Sequence, residues 1–407
     1  MPHLSLTPPP LTPKPLIPKP SHRQTVTPPG PSPGARGALA SLCAAMAWAG
    51  AVTPALSNAT DEAITPVRVA QGLANPWAVA FLPDGRFLVT ERKGNLRVVE
   101  ANGTVGPPLA GLPRISAGGQ GGLLDVVLDT GFERNRTLYF CFSEAGDGGS
   151  STALARAELA ADATRLDKVK VIFSQQPKVA STLHFGCRIT QTAPDVLFLT
   201  LGERFNRAED AQTLDNHHGK VVRIHTDGRV PADNPFVKQA GALPEIWSLG
   251  HRNPQGAALA PDGRLWIHEH GPRGGDEINL PAPGANFGWP QVSFGTHYSG
   301  LSVGSGKSAL PGLVAPVHQW TPSIAPSGMA FVTSQRYGPG WQGNLVVGSL
   351  KFTHLARLEL DGTRVVREHK LLADRGQRIR DVRQGPDGLL YVLTDSSNGE
   401  LLRLVPR

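Results

Sequence analysis

The chain has 407 residues, with 40 Lys and Arg against 33 Asp and Glu, 46 Gly and 37 Pro. At 40% hydrophobic and 18% charged it can bury a large core, which excludes wholesale disorder. Its basicity does not point to nucleic acid: the first 59 residues carry four cations (Lys14, Lys19, Arg23, Arg36) and no acid, leaving 36 basic against 33 acidic side chains beyond them.

Residues 1–59 read as a leader. Twelve prolines fall within the first 34 positions, followed by an Ala-rich apolar run from Gly37 to Val52 and small residues around Ala55–Ala59. Positive charge, apolar stretch and small-residue exit, in that order, form a secretory signal with cleavage expected near Ala59 and a periplasmic destination. The bland alternative is a disordered leader or a start placed too far upstream. The run is short for a membrane span, and no later stretch is a candidate. Cys43 would leave with the signal. Cys141 and Cys187 remain, in apolar strand-like segments, and the sequence leaves open whether they are a disulfide or two buried thiols.

From residue 60 onward, short apolar runs separated by Gly, Pro, Asp and Asn predominate. Three segments share a strand, Pro-Asp-Gly turn, strand plan: Trp77–Thr90, Gln255–His268 and Arg380–Leu393. Proline presets φ on entering the turn, and glycine tolerates positive φ on leaving it. Looser pairs are Leu124–Leu128 with Thr137–Phe142, Cys187–Ile189 with Val196–Leu201, and Gly328–Val332 with Gly343–Gly348. Six such units predict an all-β, six-bladed β-propeller of four-stranded antiparallel blades over residues 60–407, with a two-sheet sandwich array as the weaker competitor.

Polar residues close the second strand of each unit (Glu91-Arg92, Ser143-Glu144, Glu203-Arg204, Glu269-His270-Gly271, Lys351 and Thr394-Asp395) and would converge on one face near the axis. The leading group is His251-Arg252-Asn253-Pro254-Gln255, which opens the fourth unit, with His268-Glu269-His270-Gly271-Pro272 and Asp276-Glu277 closing it. Arg252 suits a planar anion, and the Gly271-Pro272 carbonyls with Asp276 and Glu277 offer oxygen ligands to calcium. The alternative for these residues is a well-bonded blade turn. Lys351, Arg378 and Arg380 add cations at other blade ends, and Gln120 lies in a Gly-rich loop. His184 precedes the third unit and Glu203 closes it, so a carboxylate would face an imidazole. A single histidine is more often structural. Gly304–Ser308 lacks the first glycine of a phosphate-binding loop, no zincin spacing surrounds His268 and His270, and no hydrolase nucleophile elbow occurs.

At this point several long motifs agree with a family. Gly250-His-Arg-Asn-Pro-Gln-Gly256, His270-Gly-Pro-Arg-Gly-Gly-Asp-Glu-Ile-Asn279, Asn286-Phe-Gly-Trp-Pro290, Ile324-Ala-Pro-Ser327 and Arg378-Ile-Arg-Asp-Val382 resemble the soluble quinoprotein sugar dehydrogenases, and within them the periplasmic aldose sugar dehydrogenase branch. The resemblance runs from about Val67 to Leu404. It implies a six-bladed propeller that binds pyrroloquinoline quinone (PQQ) and Ca²⁺ in an axial cleft and passes electrons from an aldose to an external acceptor, as a monomer or a homodimer.

By resemblance, Lys351, Arg378 and Arg380 hold the PQQ carboxylates, and Arg252 and Asn253 contact the quinone oxygens. Gln120, His270 and Ser323 add polar contacts, and the Gly271 and Pro272 carbonyls bind calcium. His184 matches the catalytic base. Glu203 stands where glucose-specific relatives carry Asp, His270 where they have Gln, and Ser323 where they have Thr. The remaining alternatives are a calcium-dependent hydrolase of the lactonase kind and a non-catalytic binding propeller. Residues Thr296–Pro322 read as an insertion in the fifth unit that shapes the substrate rim, with His297, Tyr298 and Trp320 as candidates.

Overall fold

The computed structural model describes residues 64–407; the leader and export signal expected over 1–59 lie outside them. Six four-stranded antiparallel sheets follow one another around a ring. Blade 1 is Pro76–Phe81, Phe87–Glu91, Asn95–Val99 and Val105–Pro108, and blade 2 is Leu123–Leu128, Thr137–Gly146, Gly149–Leu159 and Leu166–Ser174. Blade 3 is Gly186–Ala193, Val196–Leu201, Lys220–His225 and Ile246–Leu249, and blade 4 is Pro254–Leu259, Leu265–Glu269, Asp276–Asn279 and His318–Trp320. Blade 5 is Pro326–Phe331, Leu345–Ser349, Leu355–Asp361 and Arg364–Leu371.

Blade 6 closes the ring. Ile379–Gln384, Leu390–Thr394 and Gly399–Pro406 take their outer strand from the other end of the chain, Ile64–Leu73, which pairs antiparallel with Gly399–Pro406 from Ile64↔Pro406 to Leu73↔Gly399. The six inner strand pairs are the six units legible in the sequence. The outer strands are not: Ile64–Leu73, for example, buries only Ile64, Ala70 and Leu73, at uneven spacings that break the alternation marking a half-buried strand.

The Pro-Asp-Gly hairpins form as expected. The Gly85, Gly263 and Gly388 N–H groups bond back to the Leu82, Ala260 and Gly385 carbonyls at 3.1, 2.9 and 2.9 Å. These turns lie at one end of the blades and leave the opposite strand ends, near Glu91, Glu203, Glu269 and Thr394, on the other face.

Apolar clusters run between neighbouring blades: one joins blades 1 to 3 and another joins blades 5, 6 and 1. Close approach of inner strands sets some residues directly. A Cβ at Gly328 of blade 5 would lie 2.3 Å from Asp381 Oδ1 and 2.4 Å from the Val382 nitrogen of blade 6, so only glycine fits. Below the site face, Asp125, Arg188, Asp381 and Arg383 fill the axis as a buried ion cluster. Arg188 Nη1 lies 3.3 Å from Asp125 and 3.0 Å from Asp381, while Arg383 reaches the same two carboxylates at 2.6 and 3.1 Å.

Two expectations need correction or completion. Thr296–Pro322 belongs to blade 4, not blade 5, because His318–Trp320 is the outer strand of blade 4, paired with Asp276–Ile278. Trp320 is accordingly buried, its Nε1 donating to Glu368 at 2.9 Å, and takes no part in a rim, whereas His297 and Tyr298 are exposed. Cys141 and Cys187 are joined as a disulfide between the second strand of blade 2 and the first of blade 3. Among the described residues, no helix is long and apolar enough to cross a membrane.

Candidate active site

A cleft enclosing about 670 Å³, its open mouth included, sits over the ion cluster and is lined from every blade. Its walls include Trp77, Arg92, Gln120, Asn253, Arg378 and Arg380, with Gly186 and His270 nearby in the same lining. Five residues expected from widely separated stretches (Gln120, Asn253, His270, Arg378 and Arg380) therefore meet in one space.

His184 is buried beside this cleft, in the segment leading to Gly186. Its peptide N–H donates to Gln120 Oε1 at 2.8 Å, which fixes the segment against the Gly-rich loop. Its Nδ1 lies 2.9 Å from Glu203 Oε2. A carboxylate only accepts here, so Nδ1 carries the proton and Nε2 presents its lone pair. No hydrogen bond occupies Nε2 among the described residues. Burial pushes the imidazole pKa below its usual 6.5; Glu203 opposes that shift, and the Arg252 and Arg204 charges add to it. The result is a neutral base with a fixed tautomer.

Arg252 is positioned from behind. Glu269 Oε2 accepts its peptide N–H, and the same carboxylate takes His251 Nδ1 at 2.9 Å, with Ser248 Oγ 2.8 Å from the other His251 nitrogen. The guanidinium donates to the His270 and Gly271 carbonyls at 3.0 and 2.8 Å, and its buried Nε has no partner among the described residues. Asn253 Oδ1 accepts the Gly186 N–H at 3.2 Å and Gln255 Nε2 at 3.1 Å, and its own amide NH₂ makes no hydrogen bond among the described residues. His270 donates from Nε2 to the Pro326 carbonyl at 2.7 Å, and burial pulls its pKa down to about 3, so the ring is neutral.

The proposed cation ligands divide by geometry. Asp276 accepts the Gly271 N–H through Oδ1 and the Ala325 N–H through Oδ2, both at 2.9 Å, and so orients the turn that carries the carbonyls. Glu277 lies opposite Glu269 in the strand register, and burial together with the Glu269 charge pushes its pKa up to about 8. Among the described residues, no group of three or more His, Cys, Asp or Glu could hold a metal by side chains alone. Ser323 Oγ accepts the Ala325 N–H at 3.2 Å, next to the wall rather than in it. Lys351 is exposed and is not part of the cleft lining, although its neighbour Leu350 is; its ammonium lies 5.1 Å from the Phe352 ring centre.

Arg92 and Asp395 stood in the sequence only as polar residues at unit ends, with no role assigned, and Trp77 only as the start of a strand. Asp395 Oδ2 bridges Arg378 and Arg380, at 2.9 Å from a terminal nitrogen of each. Arg92 lines the cleft without a side-chain hydrogen bond among the described residues, and Trp77 forms its floor with Arg188 stacked 4.0 Å beneath. Each sits at a blade end already marked as polar, or one turn before it, and that position was the available signal.

Residues 73–403 match the Glucose / Sorbosone dehydrogenase family. The chain belongs to that family. It is 47% identical over 339 residues to the aldose sugar dehydrogenase YliI of Escherichia coli (strain K12), covering 82% of this chain and 91% of that protein. The apo-form structure of the soluble aldose sugar dehydrogenase from Escherichia coli superposes with a TM-score of 0.82 at 45% identity, over 84% of this chain and all of that one (100%). The PQQ-bound aldose sugar dehydrogenase of Streptomyces coelicolor gives 0.70 at 28% identity, over 84% and 98%.

Proposed function

We propose that this protein is an exported oxidoreductase that oxidises the C1 hydroxyl of aldose sugars to lactones, using PQQ and calcium, and delivers the electrons to an external acceptor. The observation that carries the reading is the cleft itself: a neutral imidazole base held by Glu203 stands beside a pocket where Arg92, Arg378 and Arg380 face one space. The Arg380 Nε is buried without a partner, a donor left over for an anionic ligand.

These residues fit a flat tricarboxylate. Arg378 and Arg380 would hold carboxylates through charge-assisted hydrogen bonds, and the free amide of Asn253 with the Arg252 guanidinium would meet the quinone oxygens. When bound, PQQ supplies a hydride-accepting orthoquinone, and calcium on the Gly271 and Pro272 carbonyls would polarise it. Asp276 serves that arrangement by fixing the Gly271 peptide.

The protein's own contribution is proton transfer and charge control. His184 Nε2 takes the proton from the sugar C1 hydroxyl, and Glu203 stabilises the imidazolium that results. Arg252, backed by Glu269 and His251, sets a fixed positive charge where negative charge develops, in a site shielded from water. A lactonase-type hydrolase would have no use for three arginines, two of them sharing a single carboxylate, lining one cleft, nor would a propeller that had lost its ligand. The disulfide between blades 2 and 3 agrees with export to an oxidising compartment.

Reconstitution tests the reading. The purified protein loaded with PQQ and calcium should reduce a redox dye when given glucose or other aldoses, and should not do so without PQQ. Equal turnover in the absence of the quinone would overturn it.

A further inference from the structure

The loop after Val196–Leu201 holds two consecutive non-glycine residues with left-handed backbones, Arg204 at φ 67° and Phe205 at φ 70°. Each such residue is costly for an L-amino acid and persists only where its surroundings impose it. Arg204 has an evident reason. It is fully buried, its guanidinium lies 3.5 Å from the Phe185 ring centre, and it donates to the Leu183 and Ser181 carbonyls, clamping the irregular segment that carries His184 into the strand Gly186–Ala193.

Phe205 has no such reason in the core. It is 49% exposed and belongs to none of the apolar clusters. Its ring instead stands edge-on to the His184 imidazole, with centroids 5.3 Å apart and planes at 78°. Its peptide N–H donates to Glu203 Oε2, the oxygen that also holds His184 Nδ1. One carboxylate oxygen thus fixes both the base and an exposed phenyl beside it.

We propose that Phe205 is the apolar platform that recognises the ring of the sugar, and with it a determinant of specificity. This inference rests on the function proposed above. A pyranose is amphipathic: its C–H groups make an apolar face, and its hydroxyls point outward from the rim. A phenyl ring half in water beside the base matches the C–H face and leaves the hydroxyls hydrated. With the sugar ring lying against Phe205, the C1 hydroxyl is directed to His184 Nε2. The ligand class is a cyclic aldose, either free or as the reducing end of a short oligosaccharide, because the exposed edge of the platform leaves room beyond the first ring.

Phe205→Gly tests this directly, since glycine relieves the positive φ and removes only the ring. Its melting temperature should stay at or above that of the parent. With PQQ and calcium bound, KM for glucose should rise about tenfold or more while kcat falls much less, the pattern expected when binding shared by ground and transition states is lost. Phe205→Tyr should restore the parental KM. An unchanged KM in the glycine variant, or a kcat loss equal to the loss in kcat/KM, would sink the platform role. A parent protein that shows no quinone-dependent turnover would instead refute the proposed function, so the two failures are distinguishable.

Discussion

Asp395 and Arg380 meet at 2.9 Å on the inner wall of the cleft, and the same Asp395 oxygen accepts from Arg378 on the mouth side. An anion already stands between the two cations assigned to the cofactor. Arg380 is buried, and this carboxylate is what makes its charge tolerable there.

Asp395→Asn keeps the shape and one acceptor oxygen but removes the charge. The apoprotein should lose about 3 kcal/mol of stability, as expected when one partner of a buried pair is removed. PQQ affinity should increase about tenfold, because the cofactor no longer competes with an internal carboxylate. Thermal unfolding with and without PQQ measures both effects, and the gap between variant and parent should narrow on saturation. The pH dependence has a defined sign. The two arginines hold the Asp395 pKa below 3.8, against the opposing effect of burial, so its contribution is complete above the normal carboxylate range and is lost as pH falls through the depressed value.

The His184–Glu203 pair predicts a second profile. The His184 pKa is lowered by burial, so the acid limb of kcat/KM should lie below pH 6.5. Glu203 is the group that raises it. Glu203→Gln should therefore move the limb to still lower pH and reduce the plateau by roughly 10- to 100-fold, through loss of basicity and imidazolium stabilisation. His184→Ala should reduce kcat by about 10²–10⁴-fold while leaving PQQ titration nearly intact. A pH profile unchanged by Glu203→Gln would remove Glu203 from the mechanism.

What the sequence revealed follows from the range of the forces involved. The inner strand pairs were legible because Pro-Asp-Gly turns such as Pro83-Asp84-Gly85 are local, and so is the alternation beside them. His184, Glu203 and Arg252 stood out as polar residues where an apolar run stops. The closing strand Ile64–Leu73 was hidden because its partner lies at the other end of the chain and its own pattern is irregular. The roles of Asp395 and Arg188 were hidden for a related reason. They come from residues of other strands or blades, and an Asp at a strand end or an Arg within one carries no sign of which partner it meets about 15 to 190 residues away.

The disulfide gives a counting test. In the full 407-residue chain, denatured without reductant, thiol titration should find one free thiol, Cys43; a chain processed near Ala59 should show none. The link spans 46 residues and joins two blades, so reduction should cost about 4 kcal/mol by the loop-entropy model, visible as a lower melting temperature. Two free thiols in the processed, unreduced protein would exclude the pairing.

Arg188 should be among the most sensitive structural positions in the ring. It lies beneath Trp77 and neutralises Asp125 and Asp381, whose carboxylates also accept the Ile189 and Val79 N–H groups at 2.9 and 3.1 Å. Its Nε donates to the Gln255 carbonyl at 2.7 Å, so one side chain ties the axis to blades 2, 4 and 6. Arg188→Met preserves much of the volume but leaves two buried carboxylates sharing Arg383, and should cost about 3–5 kcal/mol. Arg188→Met with Asp381→Asn restores the charge balance and should recover part of that loss. Denaturant unfolding decides the matter: if the double variant is less stable than the single by the full independent cost of Asp381→Asn, the two residues are not coupled through charge.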